Sequence, residues 1–189
     1  MFDHCANGQR LKCLTVTDEF TKEGLAIDVG ARIRSSRVIE VLSRLVSERG
    51  APALLRSDNG PEFVSRALLD WITAQGIRTA LIDPGKPWQN SVGESFHGKF
   101  RDECLSLESF RSIAEAKVVI ETWRRHYNAV RPHSSLGYLT PAAFAAGLAR
   151  AASREATGRD ATVSGAYAPR PVTSLPRLGH QQAGAILSS

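Results

Sequence analysis

A chain of 189 residues with 42% hydrophobic and 23% charged content can hold one sizeable core and bury roughly 70% of its unfolded surface, which excludes a fibrous or wholly disordered protein and any need for a disulfide or metal staple. The net charge of +5 leans toward polyanions such as nucleic acid, and nineteen of the 24 basic residues are arginine, the better phosphate clamp. Three cysteines without a CxxC spacing (Cys5, Cys13, Cys104) fit a reducing cytoplasm, and no run of about 18 apolar residues offers a membrane span.

In chain order, Met1 to Cys5 and Leu11 to Thr17 flank Asn7-Gly8, a strong hairpin signal, and Gly24 to Val29 reads as a third strand. Ser36 is placed to cap a helix whose apolar positions Val38, Val41, Leu42, Leu45 and Val46 follow the i, i+3, i+4 rule and which stops at Gly50. A short strand from Ala53 to Ser57 ends at Asp58-Asn59-Gly60-Pro61. A second helix, about Val64 to Gln75, stops at Gly76, and Ile77 to Ile82 gives another strand. A loop over Asp83 to Trp88 leads into a helix from about Asn90 to Cys104. A long helical segment follows from Ser109 to Tyr127, and Thr140-Pro141 opens one more helix. Three locally joined strands followed by alternating helices and strands describe an α/β fold, a mixed sheet with helices on its faces. The residues beyond about Ala152, punctuated by Pro169, Pro171 and Pro176, read as a mostly disordered tail.

Two acids stand in informative places. Asp58 follows a short apolar strand, at the carboxyl end where open α/β sheets place ligands. Glu94, 36 positions later, lies near the start of a helix that carries Asn90, Glu94, His97, Gly98 and Arg101 on one face. That face is too polar for a core and suits an approach to phosphate. Paired carboxylates are the ligands a magnesium-dependent phosphoryl-transfer site needs, although Asp-Asn-Gly-Pro is also a good turn and surface glutamate is common.

The wording of the motifs adds to this. Leu55-Arg56-Ser57-Asp58-Asn59-Gly60-Pro61-Glu62-Phe63 resembles the second-carboxylate block of DDE transposases and retroviral-type integrases, and Pro87 through Phe100, with Glu94, resembles their third-carboxylate helix. Tyr127-Asn128 with Arg131-Pro132-His133, Leu136-Gly137 and Thr140-Pro141 is similar to the downstream signature of second-frame transposases of the insertion-sequence-3 family. The likeness covers about Phe2 to Ala145. It implies an RNase H-like core over residues 1–145, followed by a helix end and tail over 146–189. It also implies two Mg²⁺ (or Mn²⁺) ions in an intact site, held by Asp58 and Glu94 as catalytic ligands. The implied chemistry is DNA cleavage at transposon ends and joining of the freed 3′-hydroxyl to target DNA. The implied partners are DNA and further copies of the chain or an intact transposase, on the nucleoid in a bacterial cytoplasm.

The family's first carboxylate falls, by resemblance, about four residues before Asp3, ahead of Met1. Asp3 shares that face but sits roughly 13 Å along the strand, out of reach of metal–oxygen bonds of about 2.0–2.1 Å; Asp18, at the end of the neighbouring strand, is the better substitute. The chain as written is therefore expected to be catalytically impaired, with an incomplete first strand. The alternative to a transposase is a remnant that binds DNA or intact transposase without catalysis; a ribonuclease H shares the fold, but the motif wording argues against it. DNA contacts are expected from Asn90, His97, Lys99, Arg101, Arg131 and His133, with a solvated helix face as the alternative for Lys99 and Arg101; Arg124 and Arg125 join Arg131 and His133 as a candidate second contact, whose charge Glu115 and Glu121 partly neutralise. Trp71, Trp123 and the cysteines read as core.

Overall fold

The computed structural model describes residues 2–58, 60–81, 91–160 and 184–188. Strands β1 (Phe2–His4), β2 (Arg10–Asp18) and β3 (Gly24–Gly30) open the fold. The turn between the first two is made as Asn7-Gly8 predicts: Gly8 adopts a φ of 78°, and Asn7 Oδ1 accepts the Gln9 N–H at 3.0 Å. Helix α1 (Ser35–Arg49) buries the expected stripe of Val38, Val41, Leu42 and Leu45, but it starts at an extended Arg34 with no side-chain cap, so Ser36 does not perform that role. β4 (Leu54–Ser57), α2 (Arg66–Ala74) and β5 (Arg78–Leu81) follow, with Ser65 Oγ capping α2 by accepting the Leu68 N–H. Helix α3 (Ser91–Phe100) continues as a wider π-helical stretch over Arg101–Leu105, so the α-helix expected to reach Cys104 changes its winding after Phe100. Helices α4 (Ile113–Ala129) and α5 (Pro141–Asp160) complete the helical part.

The expectation of a disordered tail is corrected in two places. Helix α5 runs past Ala152 to Asp160, and Gly184–Ser188 forms a sixth strand, β6. Its sequence, Gly-Ala-Ile-Leu-Ser, is apolar and free of proline, unlike the proline-punctuated stretch before it.

The sheet explains why this segment is ordered. β2 carries β3 along one side and, along the other, both β1 (against Arg10–Lys12) and β6 (against Thr15–Asp18), all antiparallel to it. β1 and β6 therefore run the same way in a single lane. β6 then pairs in parallel with β4, and β4 with β5. The lane order is β3, β2, β6/β1, β4, β5, so five residues from the end of the chain occupy the centre of the sheet.

Alternation along the strands sorts the core into two layers. Leu14, Val16, Leu55, Ala185 and Leu187 meet α1 and α2 on one face. Leu11, Cys13 and Val29 meet Phe100, Ala116 and Ile120 of α3 and α4 on the other. The three cysteines are buried there, and burial pushes the Cys13 and Cys104 thiols up to about 12 and about 11, where they are inert hydrophobes. Trp71 and Trp123 pack against the two layers, as expected. No described helix is long and apolar enough to cross a membrane.

Candidate active site

Asp58 stands one residue beyond β4. Leu55 points into the layer under α1 and α2, so alternation puts Arg56 and Asp58 on the opposite face, the one that α3 covers. The Asp58 carboxylate is oriented by its own loop, with Oδ1 accepting the Gly60 N–H at 3.0 Å. A β-carbon at Gly60 would lie 3.0 Å from that same oxygen and 3.3 Å from Phe63, which is why glycine follows at this spacing. The loop is anchored beyond it by Phe63, fully buried, and by Glu62, whose buried carboxylate takes Lys12 Nζ of β2 at 2.6 Å. Glu62 and Phe63, which in the sequence are only part of the motif, pin the Asp58 turn to the sheet.

Glu94 lies in the first turn of α3 and is exposed. The helix beneath it is seated by Gly93, Phe96 and Phe100, all buried, in contact with β2 and β6. Phe96 is held between Gly24, where a β-carbon would come within 2.8 Å of its ring, and the edge of Tyr127, with ring centroids 4.9 Å apart. One turn after Glu94, His97 Nε2 lies 2.6 Å from Thr15 Oγ1 of β2. The expected DNA-facing histidine is thus turned inward and fixes α3 against the sheet. Burial pushes its imidazole down to about 4, with Arg101 acting in the same direction, so it is neutral at pH 7.

The remaining expected contacts divide into two groups. Arg101 is exposed on the same side of α3, and Lys99 lies half-buried with its Nζ 5.9 Å from the centroid of the Tyr127 ring. Arg131 pairs with Glu103, and His133 is buried edge-on to Tyr127 at 4.9 Å. Asn90, with the loop from Asp83 to Trp88, lies outside the described residues. Arg124 and Arg125 are engaged within the fold: both pair with Glu121, and Arg124 Nη1 donates to the carbonyls of Gly24 and Leu25. Beside it, Asn128 donates to the Gly24 carbonyl and accepts the Gly24 N–H, closing the buried start of β3 as a pairing strand would.

Asp18, the candidate substitute carboxylate, lies on the other face of the sheet from the one that α3 covers. It sits among Val16, Leu42 and Leu45 on the α1 face, away from Thr15 and His97, and its Oδ1 accepts the Phe20 and Thr21 N–H groups. The position in line with Asp58 and the Thr15–His97 contact belongs to β6: Ser57 is paired with Leu187, and Thr15 with Ser188. β6 is fitted to its lane by Gly184, over which Arg56 reaches Glu19 at 2.9 Å; a β-carbon there would fall 2.6 Å from Glu19 Oε2. Among the described residues no group of three or more His, Cys, Asp or Glu converges as a ready-made metal cage.

Residues 1–87 and 75–141 match two profiles of the integrase core domain. An uncharacterized 39.2 kDa protein of insertion element IS476 from Xanthomonas euvesicatoria is 52% identical over 146 residues, 77% of this chain and 42% of that protein. An uncharacterized 31.7 kDa protein of insertion element IS407 from Burkholderia multivorans is 51% identical over 77% of this chain and 53% of its own length. The chain therefore spans about half the length of the curated relatives it matches. In fold it resembles the HTLV-2 integrase catalytic core domain solved with magnesium (TM-score 0.55, 18% identity, 76% of this chain and 91% of that one). It also resembles the BIV integrase catalytic core domain (TM-score 0.56, 19% identity, 75% and 87%).

Proposed function

The chain belongs to the integrase core domain family found in insertion-element proteins, and on that premise we propose that it acts in DNA transposition as a DDE-type phosphoryl-transfer core, with Asp58 and Glu94 as its catalytic carboxylates. What supports this reading is that Asp58 directly follows β4 and that Glu94 is exposed in the first turn of α3, the helix that lies over the neighbouring strands β2 and β6. Both are hard oxygen donors, and Mg²⁺ binds through one or two carboxylates with water and phosphate completing its shell, so the donor set fits a divalent ion. Bound there, such ions supply charge neutralisation and activation of an attacking oxygen. The protein's own part is positional. Gly60 and the Lys12–Glu62 pair set the angle of Asp58, while Phe96 and His97 set the height of Glu94 over the sheet. Lys99, Arg101 and Arg131 face the phosphate backbone, and the partners are element-end DNA, target DNA and further copies of the chain.

A second reading, DNA binding without efficient catalysis, draws on the register of the central lane. With Phe2 opposite Lys12, the position four before Asp3 falls opposite Thr15. Among residues 1–189 that register position is taken by Ser188.

The deciding experiment is Mn²⁺-dependent joining of an oligonucleotide carrying the element's end to a plasmid target. It compares residues 1–189 with Asp58→Asn, Glu94→Gln and Ser188→Asp, and circular dichroism shows that each variant is folded. Weak joining that Asp58→Asn and Glu94→Gln abolish and Ser188→Asp raises supports the catalytic reading. Joining that survives Asp58→Asn overturns it. DNA binding with no joining by any variant leaves the second reading.

A further inference from the structure

A hollow of about 510 Å³ opens beside α3, on a stripe of the helix next to that of Glu94. Ser91, Ser95 and Lys99 line it at i, i+4 and i+8. Its other walls are Thr17 of β2, Lys22, Tyr127 and the Arg131-Pro132-His133 turn. Two features of these walls have no explanation in the packing of the protein alone.

The first is a pair of orphaned polar atoms. Thr17 Oγ1 and His133 Nε2 are buried and have no hydrogen-bond partner among the described residues, and their side chains belong to residues only 2% and 6% exposed. Folded proteins rarely leave such atoms unpaired, and here two belong to residues that line the same hollow. Thr17 follows directly on a register shift between β2 and β3 at Val16/Thr17, an irregularity of the kind that re-aims a side chain.

The second feature is charge. Lys22, Lys99 and Arg131 line the hollow and no carboxylate does. Arg131 is paired with Glu103, which lies outside the lining, and Lys22 donates to the Glu19 carbonyl at 2.5 Å. Three cations around two buried groups able to donate hydrogen bonds make a site for an anion with several acceptor oxygens. Burial, reinforced by the neighbouring Lys99 and Arg131 charges, keeps His133 neutral and so able to present either a donor or an acceptor to a ligand.

We propose that this hollow is a phosphate-binding site and that its natural occupant is a backbone phosphodiester of the DNA strand that runs past Glu94. The assignment to DNA rests on the function proposed above; the assignment to phosphate does not. Hard, multiply accepting oxygens match the hydroxyl, the imidazole and the two lysines together. The site is distinct from the Asp58–Glu94 pair, needs no metal ion, and would hold the DNA in register beside it.

The test uses the whole chain labelled with ¹⁵N-histidine, in EDTA so that no metal contributes. Inorganic phosphate, a mononucleotide, and a short single-stranded oligonucleotide without terminal phosphates are each titrated while the His133 imidazole signals are followed. Oligonucleotide binding is read in parallel by fluorescence anisotropy. All three ligands are expected to move the His133 signals. Thr17→Val is expected to weaken phosphate binding at least tenfold while leaving the melting temperature equal or higher, because it replaces an unpaired hydroxyl by a methyl group. Lys99→Gln is expected to lower the slope of log K against log salt for the oligonucleotide by about 0.7, one phosphate contact on a single strand. His133 signals that respond to phosphate and mononucleotide but not to the oligonucleotide would support the phosphate site and assign it to a free nucleotide, against a DNA occupant. An oligonucleotide that binds by anisotropy while none of the three ligands moves His133 overturns the proposed site and leaves DNA binding intact. Phosphate affinity unchanged in Thr17→Val overturns it as well.

Discussion

Leu187 provides the sharpest test of the central lane. Its side chain is fully buried (0% exposed) among Leu14, Val16 and Leu55, and it belongs to a five-residue strand whose neighbours in the chain are polar or rich in proline. If β6 is part of the folded core, Leu187→Ala removes three carbons from a close-packed layer and leaves a cavity between two paired strands. Buried leucines truncated in this way lose about 2–5 kcal/mol, and a central lane with β2 and β4 on either side has little freedom to collapse. At roughly 2–4 °C per kcal/mol for a chain of this size, a loss near 3 kcal/mol lowers the melting temperature by about 6–12 °C. Urea unfolding followed by circular dichroism measures the free energy directly, with Leu107→Ala, at a side chain 73% exposed, as the control expected to stay within about 0.5 kcal/mol. A Leu187→Ala protein as stable as the control would refute the reasoning, because it would mean that the lane between β2 and β4 does not depend on residues 184–188.

Asn128→Ala removes the acceptor of the Gly24 N–H and one of two side-chain donors to its carbonyl, Arg124 Nη1 remaining as the other, and is expected to cost about 1–3 kcal/mol, with faster amide exchange at Gly24 in hydrogen-exchange NMR. His97 is neutral in the fold, its value pushed by burial from 6.5 down to about 4, so the unfolded chain takes up its proton first. Stability should fall as pH drops from about 6.5 to about 4, and His97→Gln should lose less over that window; equal losses in both proteins would count against the buried imidazole. Glu121 is held down at about 2, chiefly by the hydrogen bond from Arg124, so its contribution is present above about 4.5 and lost as pH falls toward 2. Glu121→Gln should therefore be less stable than the parent at pH 7, by under about 1 kcal/mol for so exposed a pair, and the gap should close at pH 2.5.

Much of this protein was legible in its residues. The periodicity of α1, the glycine stops at Gly50 and Gly76, and the apolar run closed by Asp58-Asn59-Gly60-Pro61 are local signals, decided by backbone conformation and by which face of one element is apolar. They placed Asp58 at a strand end and Glu94 at a helix start, which the structure bears out. What local pattern does not contain is the identity of a partner far along the chain. Asp18 and Thr17 are adjacent in sequence but sit on opposite faces of β2, one under α1 and the other in the hollow beside α3. His97 looks like part of a polar helix face until Thr15, 82 residues earlier, is brought beneath it. Arg124 and Asn128 look like surface residues until the carbonyl of Gly24, about a hundred residues away, needs its hydrogen bonds met. Gly184 to Ser188 is too short to show a period of its own. It becomes a strand because β2 and β4 leave unpaired backbone on both sides of one lane, and meeting that whole row of N–H and C=O groups while burying Ala185, Ile186 and Leu187 offsets the entropy of ordering five residues.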